Sequence, residues 1–199
     1  MKTIIFPGWA SFKSFYAKEL LEDFFYDISL QDEEVNVIAW SMGTLKALDY
    51  IKNTTVNKLI LMAPTTEFLK ENNPKLINSM IIGLKRNKEK TLKEFYNLCF
   101  SDSKLSEKFY REYHEEINQM DTDSLIEGLK FLKNQKIDKL DFSKVKEVHI
   151  ILGNKDKIIP IENNFEFLSF GKIYKFDLGH NFIYKNDELS ALVRSIIDD

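Results

Sequence analysis

The chain has 199 residues, 44% hydrophobic, 13% aromatic and 30% charged, a composition that can bury a sizeable core and is not that of a disordered chain. No apolar run approaches the roughly 18 to 20 residues that span a bilayer, and 28 basic against 31 acidic residues leave a net charge of -3, so a global basic field for nucleic acid is absent. The single cysteine, Cys99, excludes an intramolecular disulfide and a cysteine-based metal cage.

At about 1.3 times a typical 150-residue domain, the length predicts one domain with an insertion. The apolar stretch before Pro7-Gly8 is too short for a signal-peptide core, and a cytoplasmic location is expected. Residues 2–6 read as a first buried strand closed by Pro7-Gly8. Apolar positions at Phe12, Phe15, Tyr16, Leu20 and Phe24 then recur at three- and four-residue steps, which predicts a helix with Ser11 as its N-cap. A second strand is expected at 25–30 and a third at 35–39. Only residues 31–34 join them, whereas a parallel crossover normally takes a dozen residues or more. Leu45, Leu48 and Ile51 continue on a helical period, and 58–63 is another apolar strand stopped by Pro64.

From Thr65 to about Asp138 the chain is helical in character, near 68–84, 91–99, 106–117 and 124–132, with no strand between. Strand character returns at 146–152 and 171–176, each followed by a loop and a helix-like stretch at 161–168 and 186–197. The alternation predicts an α/β fold with a small, mostly parallel sheet, formed by a core of residues 1–64 and 141–199 and split by a helical lid over 65–140.

Three loops carry candidate chemistry. Ala39-Trp40-Ser41-Met42-Gly43 lies between a strand and a helix, where a serine on a sharp turn needs small residues two before and two after it. Asp156 follows the strand ending at Leu152, and His180 lies in the loop after the strand ending at Phe176. The order serine, acid, histidine matches the nucleophile, orienter and base of a hydrolytic triad. The ordinary alternatives are a simple strand-to-helix turn and a surface histidine, with Asp177 as a competing acid. Trp9 and Met42 are positioned to offer backbone N–H groups to an oxyanion, and Trp40 with Trp9 to wall a pocket, unless both tryptophans belong to the core. His114 and His149 have no partners at metal-ligand spacing, so no metal is expected, and Cys99 reads as packing.

Phe6-Pro7-Gly8-Trp9-Ala10, Ile38-Ala39-Trp40-Ser41-Met42-Gly43 and Leu178-Gly179-His180 resemble the α/β-hydrolase esterases of biotin synthesis that remove the methyl group from pimeloyl-acyl-carrier-protein methyl ester. The chain departs from that pattern in lacking a histidine before Gly8, in having Ala39 for glycine, in the shortened crossover at 31–34 and in its small size. The resemblance implies an α/β-hydrolase fold and an acidic acyl carrier protein as partner; hydrolysis by a Ser41–His180–Asp156 triad requires no cofactor, and a monomer is expected. For such a carrier, Lys85, Arg86, Lys88, Lys90 and Lys93 offer five positive charges beside Glu89 alone; the alternative is a solvated, lysine-rich helix end. A general short-chain carboxylesterase or thioesterase, and a catalytically silent binding module on the same fold, are the competing functions.

Overall fold

The computed structural model describes residues 1–25, 34–69 and 74–199. Five parallel strands form one sheet in the order β1-β2-β3-β4-β5: β1 (Lys2–Phe6), β2 (Val35–Trp40), β3 (Val56–Met62), β4 (Val145–Gly153) and β5 (Lys172–Phe176). The runs Val-Asn-Val-Ile-Ala-Trp of β2 and Leu-Ile-Leu-Met of β3 are buried throughout, as strands covered on both faces must be. β5 closes the sheet and is largely exposed.

Parallel pairing forces a crossover between successive strands. α1 (Lys13–Glu19) lies between β1 and β2, α2 (Met42–Tyr50) between β2 and β3, and a 3₁₀ helix (Ile161–Phe167) between β4 and β5; α8 (Asp187–Asp198) follows β5. Two expectations change in this part. Ser11 does not cap α1: its hydroxyl donates to the Gly8 carbonyl (2.7 Å) and meets the Tyr16 hydroxyl (2.9 Å), while Phe12 occupies the cap position. Of the strand expected at 25–30, only Phe25 falls within the described residues. It bridges β1, donating to the Thr3 carbonyl (2.9 Å) and accepting from the Ile5 N–H (3.0 Å). Since β1 also pairs with β2, Phe25 and β2 lie on opposite sides of it; the rest of the expected strand and most of its link to β2 lie outside the described residues.

The insertion between β3 and β4 consists of α3 (Pro74–Arg86), α4 (Lys88–Cys99), α5 (Ser103–Glu112), α6 (His114–Gln119) and α7 (Thr122–Asn134). Residues 68–69, at the start of the expected first helix, form a turn, and the helix is described from Pro74. Asn87, Asp102 and Asp121 cap α4, α5 and α7 by accepting from Lys90, Lys104 and Ser124 amides, which satisfies N–H groups that the helices leave free. An antiparallel bridge between Glu67 and Lys136 closes the base of the insertion, a piece of strand pairing that the helical pattern did not announce.

The insertion is fixed to the sheet layers along its α5 side. Phe109, Tyr113, Phe15 and Tyr184 form a cluster of tilted and edge-on rings with centroids 5.1 to 6.1 Å apart. Beside it, Glu112 accepts from Tyr184 (2.6 Å) and pairs with Lys18 and Lys185, and Glu19 accepts from the Tyr113 hydroxyl (2.8 Å) and the Lys185 amide (2.7 Å). Among the described residues no helix is long and apolar enough to cross a membrane.

Candidate active site

The turn after β2 carries the candidate nucleophile. Ser41 has φ 54° and ψ −119°, a left-handed backbone that costs a residue with a Cβ of order 1–3 kcal/mol and persists only where its surroundings hold it. They do: the Ser41 amide donates to the Met62 carbonyl (2.9 Å), and the Thr44 amide and hydroxyl both return to the Ser41 carbonyl (2.9 and 2.7 Å). Gly43 is required by close approach, since a Cβ there would lie 2.0 Å from the Phe6 carbonyl oxygen. This approach brings the start of α2 against the end of β1, so the Ser41 turn and the 7–10 loop form one surface.

His180 lies after β5, its Nε2 2.9 Å from Ser41 Oγ and its Nδ1 2.6 Å from Asp156 Oδ2. The other Asp156 oxygen accepts from the Ile158 and Ile159 amides, both at 2.8 Å. All three residues are buried. The competing Asp177 points elsewhere, pairing with Lys155 at 2.7 Å on the surface. Ser41, His180 and Asp156 are therefore drawn from three sheet ends into a single hydrogen-bonded chain.

The first loop is held from several sides. The Gly8 amide donates to the Tyr16 hydroxyl (3.0 Å), the Gly8 carbonyl accepts from Ser11, and the Ala10 carbonyl accepts from Tyr96 on α4 (2.6 Å). The Trp9 indole N–H donates to the Leu125 carbonyl of α7 (2.8 Å), and its ring meets Phe95 edge-on at 4.6 Å. Among the described residues neither the Trp9 backbone N–H nor that of Met42, at the first position of α2, has an acceptor. These are the two amides expected to receive an oxyanion.

Trp40 was expected to wall the pocket and does not. Its ring packs between Gly8, Phe15, Tyr16 and His180, 5.4 Å from the imidazole, and Gly8 leaves room for it: a Cβ there would meet the indole at 2.9 Å. It ends a buried strand. Trp9 does line the cavity. That cavity, about 280 Å³, opens on Ser41 and is walled by Phe68, Leu76, Met80, Phe95, Leu98 and Leu129, with Lys157 and Glu94 among its polar lining.

Lys85, Arg86, Lys88, Lys90 and Lys93 gather where α3 turns into α4, but not as five equal free charges. Lys88 donates to the Asn118 and Met120 carbonyls (2.8 and 2.7 Å), Lys90 pairs with Glu94 at 3.8 Å, and Lys93 sits 5.7 Å over the Tyr110 ring. Lys85 and Arg86 are exposed at the end of α3. Cys99 is buried, and burial pushes its thiol well above the ordinary range, with the nearby Asp156 charge adding to the effect. It is a packing residue. His114 contacts Asn118, His149 contacts Tyr174, and among the described residues no group of histidine, cysteine and carboxylate side chains is placed to hold a metal.

Sequence reasoning missed Tyr16 and Tyr96 as supports of the first loop and the Ile158 and Ile159 amides as supports of Asp156. Both tyrosines sit on apolar helix faces, where their rings account for the periodicity and their hydroxyls leave no trace. Asp followed at two and three residues by apolar ones also has no distinctive spacing.

No family model and no curated protein matches the sequence. Solved structures do match over the whole chain. An esterase from Exiguobacterium antarcticum superposes with a TM-score of 0.81 at 18% identity, covering 100% of this chain and 92% of that one. A bromoperoxidase from Bacillus anthracis gives 0.75 at 15% identity over 100% and 92%, and an enol-lactonase from Burkholderia xenovorans 0.73 at 11% over 98% and 89%. The chain has the α/β-hydrolase fold.

Proposed function

We propose that this protein is a serine carboxylic ester hydrolase acting on the methyl ester of a carrier-bound pimeloyl chain, releasing methanol and pimeloyl-carrier protein for biotin synthesis. The observation that carries the hydrolase reading is the unbroken chain Ser41 Oγ, His180 Nε2, His180 Nδ1, Asp156 Oδ2, at 2.9 and 2.6 Å. Ser41 Oγ attacks the ester carbonyl as its proton passes to His180 Nε2, and Asp156 holds the imidazole tautomer and stabilises the imidazolium. The Trp9 and Met42 N–H groups receive the oxyanion; one such donor is worth roughly 2.7–4 kcal/mol in the transition state. His180 then gives the proton to the departing methoxide, and water activated by the same base releases the acyl chain from Ser41.

The substrate reading rests on two further features. The apolar cavity that opens on Ser41 suits an extended hydrocarbon chain with few polar groups, and the elbow and first-loop residues resemble the pimeloyl-carrier esterases. The helices over residues 65–140 then act as the lid, and the exposed cations at the α3–α4 turn as the docking surface for an acidic carrier, with Lys85 and Arg86 the most available.

The test compares turnover of the pimeloyl-carrier methyl ester with that of free p-nitrophenyl esters by the purified protein, with Ser41→Ala as control. Preference for the carrier ester, weakening as salt screens the lid cations, is the expected result. Equal or faster turnover of free esters would make it a general esterase. A wild type that a fluorophosphonate probe fails to label at Ser41 would make it a binding module.

A further inference from the structure

We infer that Tyr96, on α4 of the insertion, is a positioning residue for the oxyanion-binding loop: it holds the Ala10 carbonyl, and through it the Trp9 N–H, in the orientation the reaction needs. The inference rests on the proposed hydrolase reading and concerns how that site is assembled.

Ala10 is one of four non-glycine residues in the described chain with positive φ, at 53°. A Cβ makes this conformation unfavourable, so a neighbouring alanine peptide left to itself returns to negative φ. Rotation of that kind at Ala10 would turn the adjacent Trp9–Ala10 peptide and, by displacing the Trp9 Cα, shift the Gly8–Trp9 peptide that carries the Trp9 N–H. Something must therefore hold the loop beyond Trp9. The Ala10 carbonyl accepts from the Tyr96 hydroxyl at 2.6 Å, across 86 residues of sequence and between buried groups. Burial also raises the Tyr96 hydroxyl well above its ordinary range, so it remains a donor at every pH at which the protein would work.

The other fastenings of the loop lie before Trp9, at the Gly8 amide and carbonyl, or act on the Trp9 side chain through Leu125. Tyr96 alone among these grips the backbone on the far side of Trp9. Its helix is itself a fixed reference. One turn on, the Cys99 carbonyl accepts from the Asn181 amide at 2.8 Å, next to His180, so α4 touches both the oxyanion loop and the histidine loop. The position of α4 is thus registered on both sides of the Ser41 carbonyl-binding space.

The experiment uses full-length Tyr96→Phe, which keeps the ring packing against Phe95 and Phe109 and removes only the hydroxyl. Melting temperature and circular dichroism establish the folded fraction. Steady-state hydrolysis of p-nitrophenyl butyrate is measured beside inhibition by a trifluoromethyl ketone, whose Ser41 adduct places an oxyanion against the Trp9 and Met42 amides. We expect kcat per folded molecule to fall about tenfold with KM within twofold, and ketone affinity to fall by a similar factor. In Ala10→Gly, where positive φ no longer opposes the loop, the same Tyr96→Phe change should cost threefold or less.

An active wild type with a folded Tyr96→Phe that matches it in kcat and in ketone affinity overturns this inference alone, as does a loss undiminished by glycine at position 10. A loss confined to melting temperature does the same, because it would make Tyr96 structural only. If Tyr96→Phe does not fold, the Ala10→Gly background supplies the comparison: wild-type kcat and ketone affinity in the folded double variant support the inference, and a tenfold loss there rejects it. A wild type that neither hydrolyses the ester nor binds the ketone overturns the hydrolase reading and this inference with it.

Discussion

Asp156 Oδ2 lies 2.6 Å from His180 Nδ1, while Asp156 Oδ1 takes the amides of Ile158 and Ile159, so both oxygens of this buried carboxylate are held. The two amides fix the carboxylate on its own loop, and the fixed carboxylate fixes the imidazole. Asp156→Asn keeps the size but presents an NH₂ or a carbonyl to Nδ1, which destroys the preference for the tautomer with a free Nε2 lone pair facing Ser41. We expect kcat for an ester substrate to fall on the order of 10³–10⁴-fold, with the fold retained. A loss below tenfold in steady-state assays would mean that Asp156 does not orient His180.

The elbow depends on Gly43 more than on any hydrogen bond. A methyl group at this position would sit 2.0 Å from the Phe6 carbonyl oxygen and 2.8 Å from that of Pro7, both backbone atoms that cannot swing aside. Gly43→Ala must push α2 away from β1, separating Ser41 and Met42 from the Trp9 loop. The cost of such overpacking is roughly 3 kcal/mol or more, and chemical denaturation should show it together with loss of Ser41 labelling by a fluorophosphonate. A variant within 1 kcal/mol of wild type that labels normally would contradict the packing argument.

The sequence carried the sheet and the triad because each depends on a local signal: apolar β-branched runs ending in glycine or proline, and a serine, an acid and a histidine in the loops that follow them. It failed where a side chain's role is set by a partner remote in the chain. The place of Trp40 beside Ser41 suggests a pocket wall, but its ring packs on His180, Phe15 and Tyr16 and is absent from the cavity lining. Lys88 belongs to a basic run, yet its ammonium is held by two carbonyls about thirty residues away. A second strand over 25–30 with a four-residue link to 35–39 leaves a crossover too short for parallel neighbours, and Phe25, the one residue of it that is described, bridges β1 rather than β2.

Glu112 ties α5 to both α1 and the segment before α8. Hydrogen bonds from Lys18, then Tyr184 and Lys185, hold its carboxyl down to about 2 from an ordinary 4.5. A carboxylate whose folded value lies below its unfolded value contributes stability above the unfolded value and loses it as pH falls through the folded one. Wild-type stability should therefore decline between about pH 5 and 2 through this group. Glu112→Gln removes the charge-assisted bonds and leaves Lys18 and Lys185 without their partner, a loss of roughly 1–2 kcal/mol at pH 7 after allowance for solvent. Urea denaturation of both proteins at pH 7 and pH 3 should show the gap closing at the lower pH; a gap that stays constant would place the effect in packing.

His149 provides a pH response of the same sign from a base. It is buried in β4, its Nδ1 3.2 Å from the Tyr174 hydroxyl and its ring stacked on the Tyr174 ring, with Lys58 of β3, Glu147 of β4 and Lys172 of β5 around it. Burial, and after it the Lys172 charge, lower its proton affinity below the ordinary 6.5, more than Glu147 restores it. The unfolded chain then binds a proton at a higher pH than the folded one does. The neutral, buried imidazole is fully compatible with the fold above about 6.5, and stability falls as pH drops below that value toward the lowered folded one, where the slope ends. His149→Phe keeps a ring to stack on Tyr174 and removes the proton. Its melting temperature should change less than that of wild type between pH 7.5 and 5, because a neutral ring has no protonation to resist. Equal slopes in the two proteins over this interval would show that His149 does not carry the acid sensitivity.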